Sequence, residues 1–117
     1  MALSRLKIVP EQIVKKYPNA PEVDTYEKPG NIEIELGNNP FVRINMYQWA
    51  DETLAPDSNK KFGIYQIYLR PEGDPEKDGE VTEEKKEEFR TMVKSLNYAG
   101  LYKAAKQQEI YKEAIEV

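Results

Sequence analysis

The sequence predicts an α+β domain: a four-stranded antiparallel β-meander with C-terminal helices packed on one face, a ββββα core preceded by a short N-terminal helix. Three observations predict it. Ile32-Glu33-Ile34-Glu35-Leu36 alternates strictly, the period of a strand with one buried face. Residues 41–49 and 62–70 are strand-length runs with both faces filled, separated by a polar loop. Phe89, Met92, Val93 and Leu96 recur at i, i+3, i+4 and i+7, the stripe of an amphipathic helix.

A chain of 117 residues supports one modest core, so a single domain over 1–117 is expected. It divides into an N-terminal arm (1–21), the meander (22–70), an acidic connector (71–81) and a helical part (82–117). Hydrophobic residues at 39% against 32% charged suit a soluble globular protein. The chain has no cysteine and no histidine. That removes disulfides, thiol nucleophiles, Ser-His-Asp and Cys-His arrangements and the usual transition-metal ligand. The expectation is a non-enzymatic protein with no cofactor and no metal.

No apolar run approaches the ~20 residues that span a bilayer, and the opening Met-Ala-Leu-Ser-Arg lacks the apolar stretch of a signal peptide. No membrane partner is expected, and a cytoplasmic location is the simplest inference. The net charge is −4, yet residues 71–90 alone carry −5 and the remainder +1. Overall acidity argues against strong non-specific nucleic-acid binding while leaving room for a locally basic face.

Taken in order, Leu3, Leu6, Ile8 and Val9 form a short apolar segment of either type. Pro10 suits the first position of a helix over 10–17, with Glu11 complementing the dipole and Pro18 ending it. Residues 23–27 alternate weakly, and Lys28-Pro29-Gly30-Asn31 predicts a type II turn because Gly tolerates the positive φ required there. The strand 32–36 follows, with Ile32, Ile34 and Leu36 toward the core and Glu33 and Glu35 away. Gly37-Asn38-Asn39-Pro40 marks the next turn.

In strand 41–49, Val42, Ile44 and Met46 form an aliphatic row, while Phe41, Arg43, Asn45, Tyr47 and Trp49 form an aromatic and polar one. The loop 50–61 carries Pro56-Asp57-Ser58-Asn59 and ends in Lys60-Lys61. Strand 62–70 places Tyr65, Ile67 and Leu69 on one face and Phe62, Ile64, Gln66, Tyr68 and Arg70 on the other. After the connector, Thr82 caps a helix with Glu83 and Glu84 in its first turn. A break at 97–100 precedes a last helix whose weaker apolar side holds Leu101, Ala104, Ala105, Tyr111, Ala114 and Ile115.

Three constellations could carry function. Asp74-Pro75-Glu76-Lys77-Asp78-Gly79 opens like a calcium loop, but Lys85 stands at the twelfth position, where a bidentate Glu belongs. An acidic, solvated connector is the better account. Glu33 with Glu35, and Asp51 with Glu52, are paired carboxylates, which do acid-base work only in a cleft that separates their pKa values. The third is the aromatic-polar sheet face. Arg43, Asn45, Tyr47, Trp49, Lys60, Lys61, Tyr68 and Arg70 supply the rings that stack on bases and the groups that follow phosphates. Aromatic rows serve protein interfaces equally well, so a protein partner is the alternative.

Ile44-Asn45-Met46-Tyr47-Gln48-Trp49, a loop with Pro56, then Lys60-Lys61-Phe62-Gly63-Ile64 resembles the positive-cofactor-four and Whirly superfamily of single-strand-binding proteins. There the third strand reads roughly hydrophobic-Asp-Ile-Arg-x-aromatic, and Gly-Ile opens the fourth at the spacing that separates Asn45 from Gly63. Val81-Thr82-Glu83-Glu84, with Phe89 nearby, is similar to the opening of the family's helix. Tyr47 and Asn45 depart from the family's Arg and Asp, and the acidic connector and last helix are additions. The resemblance covers roughly 31–96. It implies a Whirly-like accessory or transcription-regulatory protein that binds single-stranded DNA or RNA. It also implies a homodimer formed through the helices, with Phe89, Met92, Val93 and Leu96 at the interface.

Overall fold

The structure, a computed structural model, describes residues 2–9, 19 and 22–117; the helix expected over 10–17 lies outside them. Among the described residues the backbone forms an antiparallel sheet of five strands with two α-helices. Three strands are long: β2 (Tyr26–Glu35), β3 (Phe41–Trp49) and β4 (Gly63–Leu69). Two are short and come from opposite ends of the sequence, β1 (Leu3–Ser4) and β5 (Ile115–Glu116). The spatial order is β4-β3-β2-β1-β5. Alongside β1 and β5, Ala2 and Val117 exchange two backbone hydrogen bonds of 2.8 and 2.9 Å.

The four-stranded meander is therefore corrected to three long strands plus two terminal ones. Its missing turn is the cause. Residues 28–31 do not reverse the chain: β2 runs straight through them, pairing with β3 from Tyr26↔Trp49 to Glu35↔Phe41 with a register shift between Pro29 and Asn31. A proline gives no ladder N–H, and a glycine gives no packing side chain, so a bulge is where a strand absorbs the pair. Gly30 is required there for a second reason. A Cβ on it would lie 2.4 Å from the Tyr47 ring, which rests across the glycine.

Helix α1 (Glu83–Lys94) begins where Thr82 accepts a hydrogen bond from Lys85 N at 3.2 Å. Helix α2 (Tyr98–Lys106) begins where Asn97 accepts from Gly100 N at 2.9 Å. The last helix is shorter than expected: after Lys106 the chain makes a 3₁₀ turn at Glu109–Tyr111 and ends in β5. The acidic connector is a closed loop, bridged at Asp74↔Glu80, with a 3₁₀ turn at Pro75–Lys77. Asp74 uses its side chain to accept from Glu76 N.

The core lies between one sheet face and the helices. Val42, Ile44, Met46 and Ile67 are fully buried from the sheet side. Phe89, Val93, Leu101 and Ala105 meet them from the helices. Ile32 and Ile34 are on this same face, opposite Ile44 and Val42, yet they are 37% and 51% exposed, and Leu36 is exposed as well. The expectation that these three enter the core is corrected. Their alternation is real, but among the described residues the helices pack on β3 and β4, and α1 reaches the end of β2 through Arg90, which donates to Leu36 O and Gly37 O.

The near half of β2 is sealed around Glu27, which is fully buried. Its Oε2 accepts from Arg5 Nε and Thr25 Oγ1, both at 2.6 Å, and its Oε1 accepts from Gln48 Nε2 and Tyr111 OH, both at 2.7 Å. Four donors from separate stretches of chain thus converge on one carboxylate, which is what a buried charge needs. Burial, then the Glu27 charge, pushes the Tyr111 hydroxyl far above the ordinary phenol range.

Candidate nucleic-acid interface

The opposite sheet face is open. β3 presents Phe41, Arg43, Asn45 and Tyr47, each half-buried, in register with β4: Arg43↔Tyr68, Asn45↔Gln66 and Tyr47↔Ile64. On the other side β2 adds Glu33 opposite Arg43, Asn31 opposite Asn45 and Lys28 opposite Tyr47. Strand alternation alone puts these residues on one side, because every second residue of a strand shares a face.

Cations sit on the rings. The Arg43 guanidinium lies 5.3 Å from the Phe41 centroid and 5.7 Å from that of Tyr68, and these two rings are 5.3 Å apart and tilted by 37°. Arg70 lies 5.3 Å from the centroid of the Tyr68 ring as well. Lys61 Nζ is 4.9 Å from the Tyr47 centroid and donates to Ser58 O at 2.7 Å, which holds it in place. Such contacts are worth about 0.5–1 kcal/mol at exposed sites; here they set cations and rings in one row. Arg43 also pairs with Glu33 at 2.8 Å, and its Nε is shielded from solvent with no hydrogen-bond partner. Lys60 is exposed in the loop beside Lys61. Asn45 reaches Gln66 only at 3.5 Å.

Two hollows flank the row. One, of about 500 Å³, is lined in part by Tyr68, Arg70, Pro71 and Lys86. The other, of about 420 Å³, is lined by Lys28, Gly30, Tyr47, Pro56 and Tyr98 among others. Lys28, expected in a turn, is kept in the strand by the bulge and stands directly opposite Tyr47.

Trp49 has a different place from the one expected. It is 2% exposed, its indole N–H donates to Asp57 O at 2.9 Å, and its ring meets Tyr47 edge-on at 6.0 Å. It ties the 50–61 loop to the sheet and offers no surface to a base. The paired carboxylates are also accounted for. Glu35 accepts from Gly37 N at 2.7 Å. Asp51 caps the 3₁₀ turn Glu52–Leu54, where hydrogen bonds from Thr53 hold its carboxyl below the usual range. Among the described residues no group of three or more acids converges as a metal site, and no helix is long and apolar enough to cross a membrane.

The four residues expected at a dimer interface separate. Phe89 and Val93 are buried in the chain's own core, and Leu96 packs partly against it. Only Met92 is an exposed large apolar side chain. It shares an open cleft of about 580 Å³ with Leu96 and Leu69. No protein-family model, no curated protein and no solved structure matches the chain, so the site rests on its own residues and geometry.

Proposed function

We propose that the chain binds single-stranded DNA or RNA across the open face formed by Phe41, Arg43, Asn45, Tyr47, Lys61, Tyr68 and Arg70, with Lys28 and Lys60 at its margin. The observation that carries this reading is the row of cations seated on rings that no described element covers. Single strands bind where rings offer stacking faces and cations track phosphates, and each stacked base contributes about 1–3 kcal/mol. From Phe41 to Tyr47 the strand rises ~20 Å, enough for about four nucleotides, the low end of such sites. The resemblance to Whirly-like proteins supports an accessory or transcription-regulatory role. Glu33 tempers the affinity because it competes with phosphate for Arg43.

Anisotropy of a labelled oligothymidylate at low salt tests the reading. Tyr47→Ala is expected to weaken binding about tenfold, and Lys61→Ala to reduce the salt slope by about 0.7. No rise in anisotropy, or unchanged affinity in both variants, overturns it.

The second reading is a non-enzymatic interaction module that uses the same face on a protein. It is favoured by Glu33 and Glu35, which make the β2 margin of the face acidic. A partner whose binding survives Lys60→Ala with Lys61→Ala but is lost with Tyr47→Ala would select it.

A further inference from the structure

Among the described residues the far half of β2 has a free side. β1 meets β2 at Leu3↔Glu27, and among the described residues no strand pairs with the outer edge over 31–35. An edge of this kind presents unpaired N–H and C=O groups and is a template for another strand. Edges are commonly guarded by charged side chains, lysine above all, by proline or by a bulge; here Pro29 and the bulge lie before the open stretch, and Asn31 to Leu36 holds no lysine or proline, its charges being Glu33 and Glu35. Ile32 and Ile34 stand exposed toward the helix side, while Glu33 and Glu35 stand toward the outer face.

We infer that this edge docks an extended peptide in which apolar residues alternate with Lys or Arg. A strand added to an edge makes main-chain bonds, and its alternate side chains are read by what flanks them. On the helix side its neighbours are Ile32 and Ile34, which select apolar residues. On the outer side they are Glu35 and Glu33, the latter shared with Arg43, and these carboxylates select cations. A second copy of the same strand is disfavoured by the same pattern. Antiparallel self-pairing brings Glu33 and Glu35 against their own counterparts, and like charges directly opposite destabilise a sheet. The inference uses the sheet edge, not the rings, and is independent of the nucleic-acid reading.

The probe is a fluorescein-labelled peptide, Lys-Val-Lys-Val-Lys-Val, with Glu-Val-Glu-Val-Glu-Val as its charge control, read by anisotropy and by amide exchange of the full chain. The basic peptide is expected to bind at least about tenfold tighter than the acidic one, and to lose about tenfold on Glu33→Lys with Glu35→Lys and again on Ile34→Asp. The amides over 31–35 that do not bond to β3 are expected to slow only when it is present. Circular dichroism of both variants shows whether they remain folded, which exposed positions permit. Binding that ignores the charge reversal, or leaves those amides unchanged, overturns the inference. So does protection of those edge-facing amides without peptide: at monomer mass the chain's own residues cover the edge, and at dimer mass a second copy does.

Discussion

The two halves of β2 belong to one continuous strand and lie in opposite environments. Around Glu27 the strand is flanked by β1 on one side and β3 on the other, and four donors close on a carboxylate out of reach of water. Six residues on, Glu33 is an exposed charge sharing Arg43, and its apolar neighbours Ile32 and Ile34 are exposed. The difference teaches that a strand's fate is decided by its neighbours. The half that reads as weak strand, with charged and polar residues, is the sealed one. The half with the cleanest alternation is the open one.

The comparison can be broken in four places. Glu27→Ala leaves Arg5, Gln48 and Tyr111 without their acceptor, and loss of one partner from a buried charged cluster costs about 3–5 kcal/mol; urea unfolding should show that loss or a chain that no longer folds. Tyr111→Phe removes one of the four donors and is expected to cost about 2 kcal/mol.

That variant also changes the alkaline limb. Tyr111 is raised far above the phenol range, and Tyr102 is pushed up to about 12, chiefly by burial. Above the ordinary phenol pKa of about 10, the unfolded chain releases these protons while the folded chain keeps them. Stability is therefore full below that pH and falls as pH rises through and beyond it. Unfolding midpoints measured from pH 9 upward should fall less steeply in Tyr111→Phe.

The third place is the junction itself. Gly30→Ala drives a Cβ into the Tyr47 ring, with an expected cost of about 1 kcal/mol from overpacking and a weaker oligothymidylate complex. Ile34→Ser should be the smallest, within about 0.5 kcal/mol, because an exposed side chain loses little on replacement. A loss above 2 kcal/mol there would mean that something covers the far half of β2.

Much of the architecture was legible. β3 and β4 declared themselves by rows filled on both faces, and α1 by the Thr82 cap and its stripe. The rest escaped for physical reasons. Pro29-Gly30 has the same local chemistry in a turn and in a bulge, and only the ladder with β3 distinguishes them. Alternation at 32–36 identifies which residues share a face, not whether anything lies on it. β1 and β5 are two residues each and exist only through pairing, so no local pattern announces them. Glu27 looks like any solvated strand glutamate until Tyr111, 84 residues away, reaches it. On the open face, Arg43, Tyr47, Tyr68 and Arg70 were placed together by period alone. Period put Trp49 in the same row, and its burial escaped because the loop it ties down has no sequence signature for burying it.

The pairing of β1 with β5 has a consequence for how the chain folds. Contacts between its two ends close a loop of nearly the whole sequence, and the entropy of that closure must be met before the contact gives anything back. The β2–β3 and β3–β4 hairpins join neighbours in sequence and meet no such delay. The seal around Glu27 needs Arg5 from the start and Tyr111 from near the end, so it forms late, on a sheet already built. Pulse-labelled amide exchange should protect Ile44 and Ile67 before Ala2 and Val117. The reverse order would mean that the ends nucleate the fold.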